Sequence, residues 1–166
     1  IIAAVDSDML ALQQYAYRVD GDDDIPLFGD ITKSVDQGGL INQSQHADLM
    51  IAGVPCNNYS KLNMFAKNPD SDSKMLRSVT KLVRESQPKT LILENVTQFK
   101  TAQEGEVHER FCRECDDAGF QLMYSEDEDA KLVGSVQSRT RMWDIFVRKD
   151  VVEQCGKFVR DSSQTC

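Results

Sequence analysis

Apolar positions along the chain fall into two kinds of segment that alternate. Short, nearly unbroken apolar runs at Ile1-Ile-Ala-Ala-Val, Ala47-Asp-Leu-Met-Ile-Ala-Gly-Val and Thr90-Leu-Ile-Leu-Glu-Asn-Val have the length and branching of buried strands. Phe120-Gln-Leu-Met-Tyr and Met142-Trp-Asp-Ile-Phe-Val read as late strands. Between these runs the apolar spacing turns helical. Asp6 to Arg18 carries Met9, Leu10, Leu12 and Tyr17, with Asp6, Ser7 and Asp8 as suitable N-caps. Lys74 to Gln87 places Met75, Leu76, Val79, Leu82 and Val83 on one face and is closed by Pro88. Val107 to Ala118 forms a further helix ended by Gly119. An acidic loop, Asp20 to Asp24, leads to Leu27-Phe-Gly-Asp-Ile, and a polar loop from Asn57 to Ser73 is a candidate mobile segment. The alternation predicts a doubly wound α/β fold with a mostly parallel sheet and helices on both faces.

Composition narrows this picture in three ways. A chain of 166 residues fits one domain, and no apolar stretch approaches the ~20 residues of a membrane span. A net charge of -8 excludes a surface that binds polyanions everywhere, so any nucleic-acid contact must be local. Five cysteines without a regular framework suit free thiols in a reducing, cytoplasmic setting. Because the chain opens on Ile1, an upstream segment is expected in the natural protein.

Three stretches carry candidate chemistry. Pro55-Cys56 leaves the apolar run at the carboxyl edge of the expected sheet, where open α/β sheets bind ligands; a cysteine there is either a small filler or a nucleophile. Glu94 ends the next strand and should lie at the same edge, where desolvation would make its carboxyl a proton donor. In Gln137-Ser-Arg-Thr-Arg the period of two points Arg139 and Arg141 to one face, as an exposed basic pair or as a clamp for a phosphate or a base carbonyl. Cys112-Arg-Glu-Cys115 has metal-like spacing, but it lies inside a helix without a second pair, so no metal is expected. The acidic run from Ser125 reads as a solvated strand edge or loop, and His46 and His108 have no evident partner.

Taken in order, Phe28-Gly-Asp-Ile, Gly53-Val-Pro-Cys with Ser60 downstream, Glu94-Asn-Val, and Gly134-Ser-Val-Gln-Ser-Arg-Thr-Arg closely resemble the DNA cytosine-5 methyltransferase family, up to about Arg148. The resemblance implies a Rossmann-like sheet of the S-adenosylmethionine-dependent methyltransferase type over residues 1–150, with 151–166 as a tail or linker. It implies S-adenosylmethionine as cofactor and DNA as partner. Cys56 would be the nucleophile on carbon 6 of a cytosine, and Glu94 would protonate the ring nitrogen so that carbon 5 takes the methyl group. Arg139 and Arg141 would surround the base and its phosphate, with Gln137, Ser60 and Asn57 on the nucleic acid. Asp6 would hold the cofactor's ribose hydroxyls and Asp30 its adenine amine, with Ile31 and Pro55 lining the same pocket. Because the reacting carbons are stacked inside a duplex, the target base would be flipped out, and the loop from Asn57 to Ser73 would close over it.

Departures from the family pattern matter as well. The usual Pro-Cys-Gln-Pro-Phe-Ser becomes Pro55-Cys-Asn-Asn-Tyr-Ser60. The family's opening strand and glycine-rich cofactor loop have no counterpart, nor does the downstream target-recognition region. The missing strand would be the central one, so an upstream segment or a complementary chain is expected to supply it. Four functions stay open: a DNA cytosine-5 methyltransferase of a restriction-modification, phage or epigenetic system; the same chemistry on RNA cytosine; an inactive, methyltransferase-like subunit that binds DNA or a partner; and a generic nucleotide-binding α/β protein in which the motifs coincide by chance. The setting would be cytoplasmic or nucleoid-associated, or nuclear in a eukaryote.

Overall fold

A computed structural model describes the chain at residues 1–19, 25–55 and 69–162. The element order is β1 (Ala4–Val5), α1 (Met9–Val19), β2 (Leu27–Phe28), α2 (Ile31–Asp36), α3 (Gly39–Ser44), β3 (Leu49–Gly53), α4 (Pro69–Ser86), β4 (Thr90–Asn95), α5 (Glu106–Asp117), β5 (Phe120–Asp129), β6 (Thr140–Arg148) and α6 (Lys149–Ser162). Two short 3-10 turns lie between β4 and α5. The expected α/β fold is present.

The strands form two separate sheets. β1 and β2 make a two-stranded parallel pair, and the other four run in the order β3-β4-β6-β5. β3 and β4 are parallel, whereas β6 runs antiparallel to both β4 and β5, so the sheet is mixed. Residues 130–139 join β5 to β6, too few for the crossover a parallel pair needs. Among the described residues nothing hydrogen-bonds the β1–β2 pair to the larger sheet.

Alternation decides which face is covered. In β4, Leu91, Leu93 and Asn95 are buried while their neighbours are only partly so. Leu76, Val79 and Val83 of α4 and Val107, Phe111 and Cys115 of α5 pack on that face with Met142 and Phe146 of β6. Phe111 meets Phe146 edge-on at a centroid distance of 5.8 Å, a favoured aromatic geometry. Val35, Leu40 and Leu82 form a second cluster around Phe28 and Val5, and Ile31 and Met50 pack against both clusters. The single helix α4 thus supports both sheets.

Several expectations are corrected here. The run from Ala47 was expected to be a buried strand, but Leu49 and Ile51 are 50% and 66% exposed, because β3 is an edge strand whose outer face has no described helix over it. The first strand shrinks to Ala4–Val5, and α1 begins at Met9, where the Asp8 carboxylate accepts from the Leu10 and Ala11 amides. Helices α2 and α3 were not anticipated, since each has only six residues, too short to show a period. β5 continues through the acidic run to Asp129, opposite β6, as the outer strand of its sheet; charge on such an edge discourages association with other edges. Within the expected tail or linker of 151–166, residues 151–162 are helical, as part of α6. α4 begins at Pro69, within the expected polar loop; a proline is tolerated there because the first helical N–H has no partner in any case.

Candidate active site

The parallel register of β3 and β4 sets the geometry. Gly53 pairs with Glu94, so the chain leaving β3 toward Pro55 emerges beside that carboxylate. A Cβ on Gly53 would lie 3.6 Å from Glu94 Oε2, and glycine leaves this side of the carboxylate uncovered. Val54 is buried and anchors the strand end, while Pro55 is exposed. Cys56, Asn57 and Ser60 lie outside the described residues.

Glu94 was expected to be desolvated. Instead it is an ion-pair partner: Arg141 Nε lies 3.1 Å from Glu94 Oε1, with the two side chains 24% and 28% exposed respectively. Arg141 also donates from Nη1 to the Thr140 carbonyl at 2.7 Å. The guanidinium is therefore steered from two sides, and it orients the carboxylate. This arises because β6 pairs with β4 so that Trp143 faces Glu94, which brings the start of β6 to the end of β4.

Arg139 does not join this pair. β6 begins at Thr140, so the period of two that was to align Arg139 with Arg141 stops between them, and Arg139 sits exposed in the connection. Asp129, which the sequence offered only as part of an acidic run, organises that connection. Its Oδ1 accepts from the amides of Lys131 and Arg139, both at 3.0 Å, and its Oδ2 accepts from the Ser138 hydroxyl at 2.7 Å. These bonds, the Lys131 amide foremost, hold its carboxyl below the usual aspartate range. Gln137 is exposed in the same loop, its amide donating to Ser135 Oγ at 3.2 Å.

The proposed cofactor acids occupy the matching end of the other sheet. The Asp6 amide extends the β1–β2 ladder by donating to the Phe28 carbonyl, and Asp6 Oδ1 accepts from the Asp8 amide. Asp30 caps α2: its Oδ1 accepts from the Thr32 hydroxyl at 2.7 Å and the Thr32 amide at 2.8 Å, which lowers its pKa. In both residues these bonds fall on one oxygen of an exposed carboxylate. Each is fitted to accept from a hydroxyl or amino group of a ligand. Ile31 is half-buried and joins the core clusters.

A second polar cluster escaped sequence reasoning. His108 has a partner after all: its Nε2 lies 2.8 Å from Oδ2 of the fully buried Asp144 and 3.6 Å from Cys112 Sγ. The Asp144 carboxylate, then the Cys112 sulfur, raise the imidazole pKa to about 9 against its partial burial. Cys115, the other half of the Cys-x-x-Cys pair, is buried elsewhere in the core, and burial pushes its thiol pKa strongly up. One signal was available: Asp144 shares the period-two face of Met142 and Phe146, which places a carboxylate in a core row.

The profile of the family described as C-5 cytosine-specific DNA methylase matches residues 1–164. Type II methyltransferase M1.ScrFI of Lactococcus lactis subsp. cremoris is 24% identical over 124 residues, 74% of this chain and 30% of that protein. Type II methyltransferase M.NlaX of Neisseria lactamica is 26% identical over 145 residues, 87% of this chain and 44% of that protein. The chain thus spans less than half the length of these curated relatives. Among solved structures, a prophage-encoded protein of E. coli described as a DNA modification methyltransferase aligns with a TM-score of 0.70 at 21% identity, covering 91% of this chain and 41% of that one. Spodoptera frugiperda DNMT2 aligns with a TM-score of 0.66 at 18% identity, covering 90% and 43%. At such identities the likeness is one of fold.

Proposed function

The chain belongs to the C-5 cytosine-specific DNA methylase family, and we propose that it carries the base-activating half of a DNA cytosine-5 methyltransferase. The observation that supports this best is the β3–β4 register, which brings the end of β3, leading into Pro55, beside a Glu94 carboxylate paired with Arg141. In this reading the Cys56 thiolate adds to carbon 6 of a flipped-out cytosine. Glu94 holds a proton at the neighbouring ring nitrogen, which turns the ring into an enamine that is nucleophilic at carbon 5. S-adenosylmethionine, when bound, supplies the electrophilic methyl group. Loss of the carbon 5 proton then expels Cys56 and restores the ring. Asp6 and Asp30 would hold the ribose and adenine of the cofactor, with Ile31 and Pro55 beside it. Arg139 and Gln137, presented by the Asp129-braced loop, and Asn57 and Ser60 after the cysteine would contact the nucleic acid.

The split sheet favours a companion reading. Among the described residues no strand pairs with the outer edge of β3, and Leu49 and Ile51 on its outer face are exposed. We infer that one further parallel strand, from an upstream segment or a complementary chain, lies between β1 and β3; without it the chain acts as a methyltransferase-like binding subunit.

Covalent trapping tests both. The chain is mixed with S-adenosylmethionine and duplex DNA containing 5-fluorocytosine, whose fluorine blocks the final elimination. A denaturing gel should show a protein–DNA adduct that disappears in Cys56→Ser. If the adduct needs an added first-strand segment, the split-domain reading holds; if none forms even then, the enzyme reading is wrong.

A further inference from the structure

The cluster of His108, Cys112 and Asp144 lies outside the proposed active site, and its geometry points to a metal. Three donor atoms of different chemistry, an imidazole nitrogen, a thiol sulfur and a carboxylate oxygen, all lie within 4.8 Å of one another. Two come from successive turns of α5, and the third projects from β6 beneath that helix. Both the carboxylate and the thiol approach the same ring nitrogen, Nε2. A proton relay from carboxylate to imidazole to thiol would place them on opposite ring nitrogens. Convergence on one nitrogen is instead what a ligand set around a single point produces.

Independent support comes from Asp144 itself. The residue is 0% exposed, and among the described residues its Oδ1 has no hydrogen-bond partner. A buried carboxyl group in a core row with one oxygen unsatisfied is costly unless a cation or donor completes it. His108 balances one oxygen only. A divalent ion would sit against one thiolate, one carboxylate and a neutral imidazole, for a net charge of zero.

We propose that His108 Nε2, Cys112 Sγ and an Asp144 carboxylate oxygen form a binding site for a zinc-class divalent cation, with water in the fourth position. Ideal tetrahedral bonds of about 2.0–2.3 Å put ligand atoms roughly 3.3–3.7 Å apart. The nitrogen–sulfur separation of 3.6 Å already fits, and the nitrogen–oxygen separation of 2.8 Å needs to open by about half an ångström. Binding displaces the thiol proton and any imidazole proton to solvent, as every zinc–thiolate site requires. A surface cleft lined by Cys112, Phe120 and Leu122 reaches one of the three ligands, Cys112. Such an ion would tie α5 to β6 three residues from Arg141, and so stiffen the strand that orients Glu94.

The experiment uses the 166-residue chain stripped with chelator and titrated with Co2+ and then Zn2+. One equivalent of Co2+ should give the intense near-ultraviolet thiolate charge-transfer band together with tetrahedral visible bands, both abolished by one equivalent of Zn2+. Cys112→Ser, a change on the half-exposed side of α5, should remove the charge-transfer band and weaken Zn2+ affinity by roughly a hundredfold. His108→Gln should weaken it comparably, whereas Cys155→Ser, on the exposed side of α6, should leave it unchanged. Circular dichroism checks that each variant is folded. Absence of a thiolate band with the wild-type chain, or Zn2+ binding that survives both Cys112→Ser and His108→Gln, would overturn the proposal.

Discussion

The contact between Arg141 and Glu94 admits a quantitative test. At 3.1 Å the bare attraction of two unit charges is about 5 kcal/mol at an effective dielectric of about 20, and about 1.3 kcal/mol in bulk water. About a quarter of each side chain is open to solvent, which moves the pair toward the lower figure. Arg141 also keeps its bond to the Thr140 carbonyl when Glu94 is lost, which softens the single substitution. Fully exposed pairs couple by about 0.2–1 kcal/mol, and charge-assisted hydrogen bonds contribute about 1.5–3 kcal/mol. A half-buried pair should fall between them, near 1–2 kcal/mol. A double-mutant cycle with Arg141→Gln, Glu94→Gln and the combined variant, read by urea unfolding, isolates this term. The coupling should shrink as salt is raised from 0.05 to about 1 M, because exposed charges are screened over distances that fall to about 3 Å. A coupling within about 0.3 kcal/mol of zero, or one that ignores salt, would show that Arg141 does not hold Glu94, and the reading of an oriented carboxylate would fail.

Other expectations follow from the same geometry. Phe111→Ala removes a ring that is 2% exposed and stacked edge-on against Phe146, and should destabilise by about 3–5 kcal/mol in urea unfolding; a loss below about 1 kcal/mol would mean that α5 does not close this core. Asp30→Ala deletes the α2 cap and should lower stability by about 1 kcal/mol at neutral pH. Since Thr32 holds the Asp30 carboxyl below its ordinary value of 3.8, the ionised form stabilises the fold above that pH, and the contribution disappears as pH falls through the lowered value. Asp30→Asn keeps a capping oxygen without the charge, so it should be mild at pH 7 and flatten the loss of stability as pH falls below the ordinary value of 3.8; an unchanged acid slope would contradict the assignment. Asp129→Ala should speed amide exchange at Lys131 and Arg139 while leaving the β4–β6 ladder protected, and equal exchange in the two proteins would show that Asp129 does not brace the loop.

Local patterns along the chain determined much of this protein by themselves. The period of α4 and α5 is visible because each helix buries one stripe, and Pro88 and Gly119 mark their ends through backbone chemistry alone. Glu94 at the end of β4 is legible for the same reason, since an acid that stops an apolar run has to lie at a strand edge. Which groups then meet was decided only by tertiary structure. Spacing treated Arg139 and Arg141 as equals, yet the start of β6 at Thr140 and its antiparallel register against β4 send Arg141 to Glu94 and leave Arg139 in the loop. Likewise His108 and Asp144 stand 36 residues apart and belong to elements whose periods say only that one face of each is buried. Periodicity reports the direction a side chain faces relative to a core. The identity of its partner depends on strand order and register, which are settled by the packing of the whole chain.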